Sequence, residues 1–179
     1  MKVNRRKLKN LILYISAVCE DDVHWGAIKL NKVLHKADFG FFEAHRESIT
    51  NSNYIALEQG PAPNAMVPIV RELVETGRLA IQKRGRQKRP VALTDPDLSL
   101  FTAEQISVVD KAIEELRHLT AKEASDNTHD AIGWIAARAK AKATKKSVVI
   151  PYESVFISAP PADPYEKAHV RELVSQHGW

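Results

Sequence analysis

His35 and Asp38 stand three residues apart in the run KLNKVLHKADFGFFEAH, residues 29–45. On a helix, that spacing brings an imidazole and a carboxylate within reach of each other. A general base and its orienting carboxylate have this arrangement. No serine or cysteine in a nucleophile motif accompanies them, so the pair alone is weak evidence for catalysis. The seven histidines are dispersed, and neither CxxC nor HExxH occurs. His129 with Asp130 lacks further ligands at metal-site spacing. GxGxxG and P-loop patterns are absent, and EQGPAPNA holds too little glycine to cradle phosphate. The reading is a non-enzyme without metal or cofactor.

Charge raises a different chemistry. The net charge of +4 hides three basic clusters, at residues 2–9, 83–89 and 138–146, each with five Lys or Arg. Outside them the chain carries eleven more acids than bases. Basic clusters on an acidic body suit nucleic acid or an acidic protein partner. The middle cluster, KRGRQKR, supplies Lys83, Arg84, Arg86, Lys88 and Arg89 as candidate contacts to a partner or to DNA. Acidic residues in the preceding helix, Glu72 and Glu75, would oppose a phosphate backbone, so nucleic acid is not the favoured partner.

These residues need elements to hold them. Leu30, Val33, Leu34, Ala37 and Phe41 form an apolar stripe at helical period over 29–45. Lys29, Lys32 and Lys36 make a second, polar face. Asp38 lies on the border of the stripe, where an unpaired carboxylate is costly. Lys29, Lys32, a later backbone N–H or His129 are its candidate partners. An earlier helix is expected from Asn4 to Cys19. It has basic residues before an apolar stretch but reads as amphipathic helix rather than signal peptide. A strand is expected at NYIAL, a turn-rich loop at EQGPAP, and a helix starting close to Pro68 and ending with Gly77 as its C′ residue. Leu79–Ile81 and Val91–Leu93 predict a β-hairpin with a basic tip. A helix followed by such a hairpin is also how a winged-helix domain ends. Thr102 with Gln105, and Thr120 with Glu123, have capping-box spacing. The second of these opens one helix or two short ones running to about Ala143. A strand at SVVIPY stops at Pro151. Residues 159–179 read as a loop and a short helix that pack on the domain or extend it. The fold class expected is α+β, mainly α-helical, as a single domain with a small antiparallel sheet or hairpin. No apolar run reaches the length of a membrane span, and the lone Cys19 favours a reducing cytoplasm.

Three segments in order, IKLNKVLHKADF, SITNSNYIALEQGPAPNAM and RELVETGRL, resemble the Panacea domain, the SocA-like antitoxin domain. Lys29, Leu30, Lys32, Leu34, Ala37 and Asp38 match the first motif of that family. Tyr54, Gly60, Pro61 and Pro63 match the second, and Leu73, Glu75, Gly77 and Leu79 the third. Ser125, Thr128, His129 and Trp134 match a later segment. His35 stands where the family often has an aromatic residue, and Ala62 departs from the usual residue between the prolines. The resemblance implies one domain over residues 1–158. It also implies an antitoxin of a toxin–antitoxin system, of the kind met in phage defence. Such a protein neutralises a cognate protein toxin by direct binding or, as in one member, as an adaptor to a ClpXP-type protease. The alternative reading is a winged-helix-like transcriptional regulator. Lys29, Lys32, Asp38, Tyr54, Gly60, Pro61, His129 and Trp134 are the family-motif and structural residues, and among them Asp38, Tyr54 and His129 are expected to build an internal polar network.

Overall fold

A computed structural model describes residues 3–85, 87–129 and 131–157, with backbone alone at 127–129. The expected loop and helix at 159–179 lie outside the described residues, as does Arg86.

The chain begins with α1 (Arg5–Val18), whose Asn4 cap accepts the Lys7 N–H. It buries Leu8, Leu11, Ile12 and Ile15. Helix α2 (Ala27–His45) crosses the core, with Leu30, Val33, Leu34 and Ala37 all at most 1% exposed. Next come β1 (Tyr54–Leu57) and β2 (Gly60–Pro63). The second is a correction to the expected loop, because GPAP pairs antiparallel with β1 from Tyr54↔Pro63 to Leu57↔Gly60. Prolines are tolerated in a strand only where the missing N–H is not needed. Asn64 N donates to Asn53 O at 2.8 Å. Ladder bonds alternate along an antiparallel pair, so Pro61 and Pro63 fall at positions whose nitrogens face away from β1. β2 is an edge of the sheet, whose order is β2-β1-β5. The other edge, β5 (Val149–Ile150), pairs with β1 through Tyr54↔Ile150 and ends before Pro151.

Helix α3 (Met66–Glu75) carries Pro68 in its first turn. It closes with Gly77 at φ 67°, where Gly77 N–H reaches Val74 O and Arg78 N–H reaches Leu73 O. Those two bonds satisfy carbonyls that the helix end would otherwise orphan. The basic hairpin is longer than its apolar runs suggest: β3 (Leu79–Arg84) pairs with β4 (Gln87–Ala92) throughout. Helix α4 (Ala103–Leu116) has the full Thr102–Gln105 capping box. The following segment is two helices, α5 (Ala121–His129) and α6 (Ile132–Thr144). A short 3-10 turn, Tyr152–Phe156, follows β5. One hydrophobic core runs from Leu8 in α1 through α2 to Ile150 in β5. The fold is therefore a single α+β domain, mainly helical, with α2 at its centre.

Candidate functional site

Asp38 is 1% exposed, on the inner side of α2. Its Oδ1 accepts the Thr50 N–H at 2.8 Å. Its Oδ2 accepts the Thr50 hydroxyl and, at 2.8 Å, the Tyr54 hydroxyl. Ser52 Oγ lies 2.7 Å from Thr50 Oγ1 and completes the cluster. Burial pushes the Asp38 carboxyl above its ordinary range, while the bonds from Thr50 and Tyr54 pull it back. Thr50 O in turn accepts the Asn4 N–H at 2.8 Å, so the cluster ties the loop after α2 to the start of α1. The sequence reading missed Thr50. Its signal is the polar run SITNSN, whose short side chains bond to nearby backbone.

His35 is not a partner of this carboxylate. Its ring stands 4.1 Å from Phe39 and 5.3 Å, edge-on, from Tyr54. Burial first, then Lys32 and Lys36, lowers its pKa to about 3. At neutral pH it is uncharged and a poor proton acceptor. The geometry separates the residues that a base and its orienting carboxylate would need joined.

Asp38 and Tyr54 share this cluster, and the other described polar side chains of the motif residues bond elsewhere. Lys29, 1% exposed, donates to the Asp22 carboxylate and to Arg117 O at 2.9 Å. Asp22 Oδ1 also accepts the His24 N–H at 2.8 Å. This buried ion pair fastens the α1–α2 corner to the C-terminal end of α4. Lys32, also 1% exposed, donates to Gln59 O in the β1–β2 turn, which takes a second bond from Ser125 Oγ at 2.8 Å. Burial alone lowers the Lys32 pKa to about 8. Gly60 holds φ 97° at the start of β2, a conformation that favours glycine. Trp134 Nε1 donates to Leu57 O at 3.2 Å, joining α6 to the same turn. The backbone of His129 closes α5, and its side chain lies outside the described residues.

The basic clusters also meet different fates. In the first, Arg5 and Lys9 clasp Glu72 of α3, with Arg5 at 2.9 Å, and Arg6 pairs with Asp97 at 2.8 Å. Lys7 donates to Gln105 and sits over the Phe101 ring. That cluster is thus largely consumed within the molecule, and α3 faces α1 through its acidic residue. In the hairpin, Lys83, Arg84 and Lys88 are exposed. Arg89 is not at an exposed tip, as its position in the basic run suggests. It is 8% exposed and donates to Glu20 O at 2.8 Å and Val23 O at 3.4 Å, just past the end of α1. The third cluster, on α6 and the residues after it, is mostly exposed, and its lysines form no ion pair among the described residues.

Among the described residues no group of three or more His, Cys, Asp or Glu could hold a metal ion. Nor is any described helix long and apolar enough to cross a membrane. Comparison with known proteins finds no match among curated proteins and none among solved structures. A family model described as Antitoxin SocA-like, Panacea domain, matches residues 30–135. The match opens one residue after Lys29 and ends one residue after Trp134. It spans Lys32, Asp38, Tyr54, the Gly60–Pro63 strand and the 121–134 segment, in which Ser125 and Trp134 bond to the β1–β2 hairpin and Ala124 is buried in the core. With that match over more than half its length, the chain belongs to the SocA-like antitoxin, Panacea domain family.

Proposed function

We propose that this protein acts as an antitoxin by binding its cognate toxin directly, without chemistry of its own. The observation that carries the reading is the family match over residues 30–135. The fate of the polar motif residues supports it. Asp38 and Tyr54 are spent on holding Thr50, and His35 is buried, neutral at physiological pH and apart from Asp38. The first basic cluster is tied up with Glu72 and Asp97, which supports a protein partner over a nucleic-acid one. The exposed Lys83, Arg84 and Lys88 of the hairpin are rim charges that would steer an acidic partner.

The test is co-expression with the neighbouring open reading frame. That frame alone should arrest growth, and this chain should restore growth and co-purify with its product. Unchanged toxin levels during rescue indicate blocking, whereas falling levels that depend on a ClpXP-type protease indicate delivery for degradation. Rescue without a stable complex, accompanied by salt-dependent binding to the operator, would favour a transcriptional regulator instead.

A further inference from the structure

Lys32 is a buried cation without a buried anion. Among the described residues its one acceptor is the uncharged Gln59 carbonyl, and no carboxylate pairs with it. Its neighbour Asn31 has the complementary defect: the Asn31 Oδ1 is buried and accepts no hydrogen bond. Both residues line one cavity of about 310 Å³ between α2 and the β1–β2 turn, together with Leu57, Glu58, Gln59 and Pro61. An ammonium has three N–H donors, so Lys32 retains capacity beyond Gln59. A buried polar group without a partner is costly. A cation with spare donors and an acceptor with no donor, side by side on one cavity, define what fills it. The entrant carries an anionic oxygen for Lys32 and, next to it, a donor for Asn31.

We propose that this cavity receives an acidic side chain of the partner protein, its carboxylate on Lys32 Nζ and an adjacent backbone N–H on Asn31 Oδ1. An aspartate in a peptide carries both groups within a few bonds. The carboxylate supplies the counter-ion that α2 lacks at this turn, and the exposed Leu57 on the cavity wall offers apolar contact beside it. Glu58 on the rim is exposed, where solvent and salt screen its repulsion. The proposal rests on the antitoxin reading for the identity of the partner, but the chemistry of the cavity is testable without the toxin.

The probe is N-acetyl-aspartate amide, with N-acetyl-asparagine amide as its neutral twin. The full chain, isotopically labelled at lysine, is titrated while the Lys32 Cε and Nζ signals are followed by NMR. The acid should shift them saturably with a Kd of about 1–10 mM, the scale of one fragment-sized contact. It should also raise the Lys32 pKa from about 8 toward 10.5. The asparagine analogue should leave both unchanged. Lys32→Met removes that reporter, so binding is read on the acid itself: saturation transfer from protein to N-acetyl-aspartate amide, present with wild type, should be lost with this variant. Asn31→Asp places a carboxylate inside the cavity, so it should raise the Lys32 pKa without ligand and weaken binding at least tenfold. Asn31→Asp also guards against misreading a Lys32→Met variant that fails to fold. Equal responses to the two analogues, a flat Lys32 signal, or unaltered binding by Asn31→Asp overturns the proposal. Failure of the wild-type chain to rescue growth would overturn the antitoxin reading, and the titration would still decide the cavity's chemistry.

Discussion

Two lysines one turn apart on α2 are equally buried and differently finished. Lys29 sits at the α1–α2 corner with the Asp22 carboxylate and the Arg117 carbonyl as acceptors. Lys32 sits under the β1–β2 turn with a backbone carbonyl alone. The first corner is a closed structural joint, in which each charge offsets the desolvation of the other. The second is open, since its cation is held by a dipole rather than by a charge. Buried cations are therefore not one class of residue, even on one face of one helix. What separates them is whether the fold itself brings a carboxylate.

Removing each lysine measures that difference. Lys29→Met leaves Asp22 buried and unpaired, so it should destabilise the fold by about 3–5 kcal/mol, the usual cost of breaking a buried pair on one side. Denaturant melts would show it, and a loss below about 1 kcal/mol would erase the distinction between the corners.

Asp38 is a third buried titratable group, satisfied by hydrogen bonds rather than by a cation. Asp38→Ala should cost about 1–3 kcal/mol, because Thr50 and Tyr54 lose their acceptor. Asp38→Asn keeps an acceptor for the Thr50 N–H and should cost less. Equal costs for the two would show that the Thr50 backbone bond matters little.

The hairpin supplies a parallel contrast between bound and free cations. Arg89→Ser strips donors from the Glu20 and Val23 carbonyls and should cost about 1–2 kcal/mol. The triple change of Lys83, Arg84 and Lys88 to Ser should stay within about 0.5 kcal/mol, as exposed substitutions do. Toxin neutralisation by the triple variant should survive in part, with slower association.

Lys32→Met is expected to have only a small effect near neutral pH, below about 1 kcal/mol, since a lost hydrogen bond is offset by relief from burying a charge. Its signature is a pH dependence. The folded pKa is lowered to about 8 from 10.5, so between those values the unfolded chain binds more protons than the folded one. Stability contributed at Lys32 therefore rises with pH across that window. Tyr54 and Tyr152, whose pKa values burial raises, act in the opposite direction at high pH. The difference between wild type and Lys32→Met isolates the lysine: it should favour wild type increasingly from pH 8 to 10.5. A flat difference would mean that Lys32 has a counter-ion in the folded protein.

The amino-acid sequence alone determined the elements whose signals are local. The α2 stripe, the Thr102–Gln105 capping box, the Gly77 stop and the hairpin about Gly85 all follow from periodicity, short-range spacing or one residue's backbone preference. The border position of Asp38 was legible in the same way, as was the expectation of a backbone N–H among its partners. Tertiary structure decided the rest. GPAP reads as a loop because proline is a poor strand residue, and only the pairing with β1 shows that both nitrogens face away from the ladder. Arg89 reads as a tip residue until the hairpin folds against the end of α1 and brings two carbonyls to it. The polar face of α2 holds two buried lysines because a loop acid covers one and the β1–β2 turn covers the other. Helical period reports which residues share a face. Whether that face meets water, a carboxylate or a bare carbonyl depends on segments packed there from elsewhere in the chain, and periodicity carries no record of them.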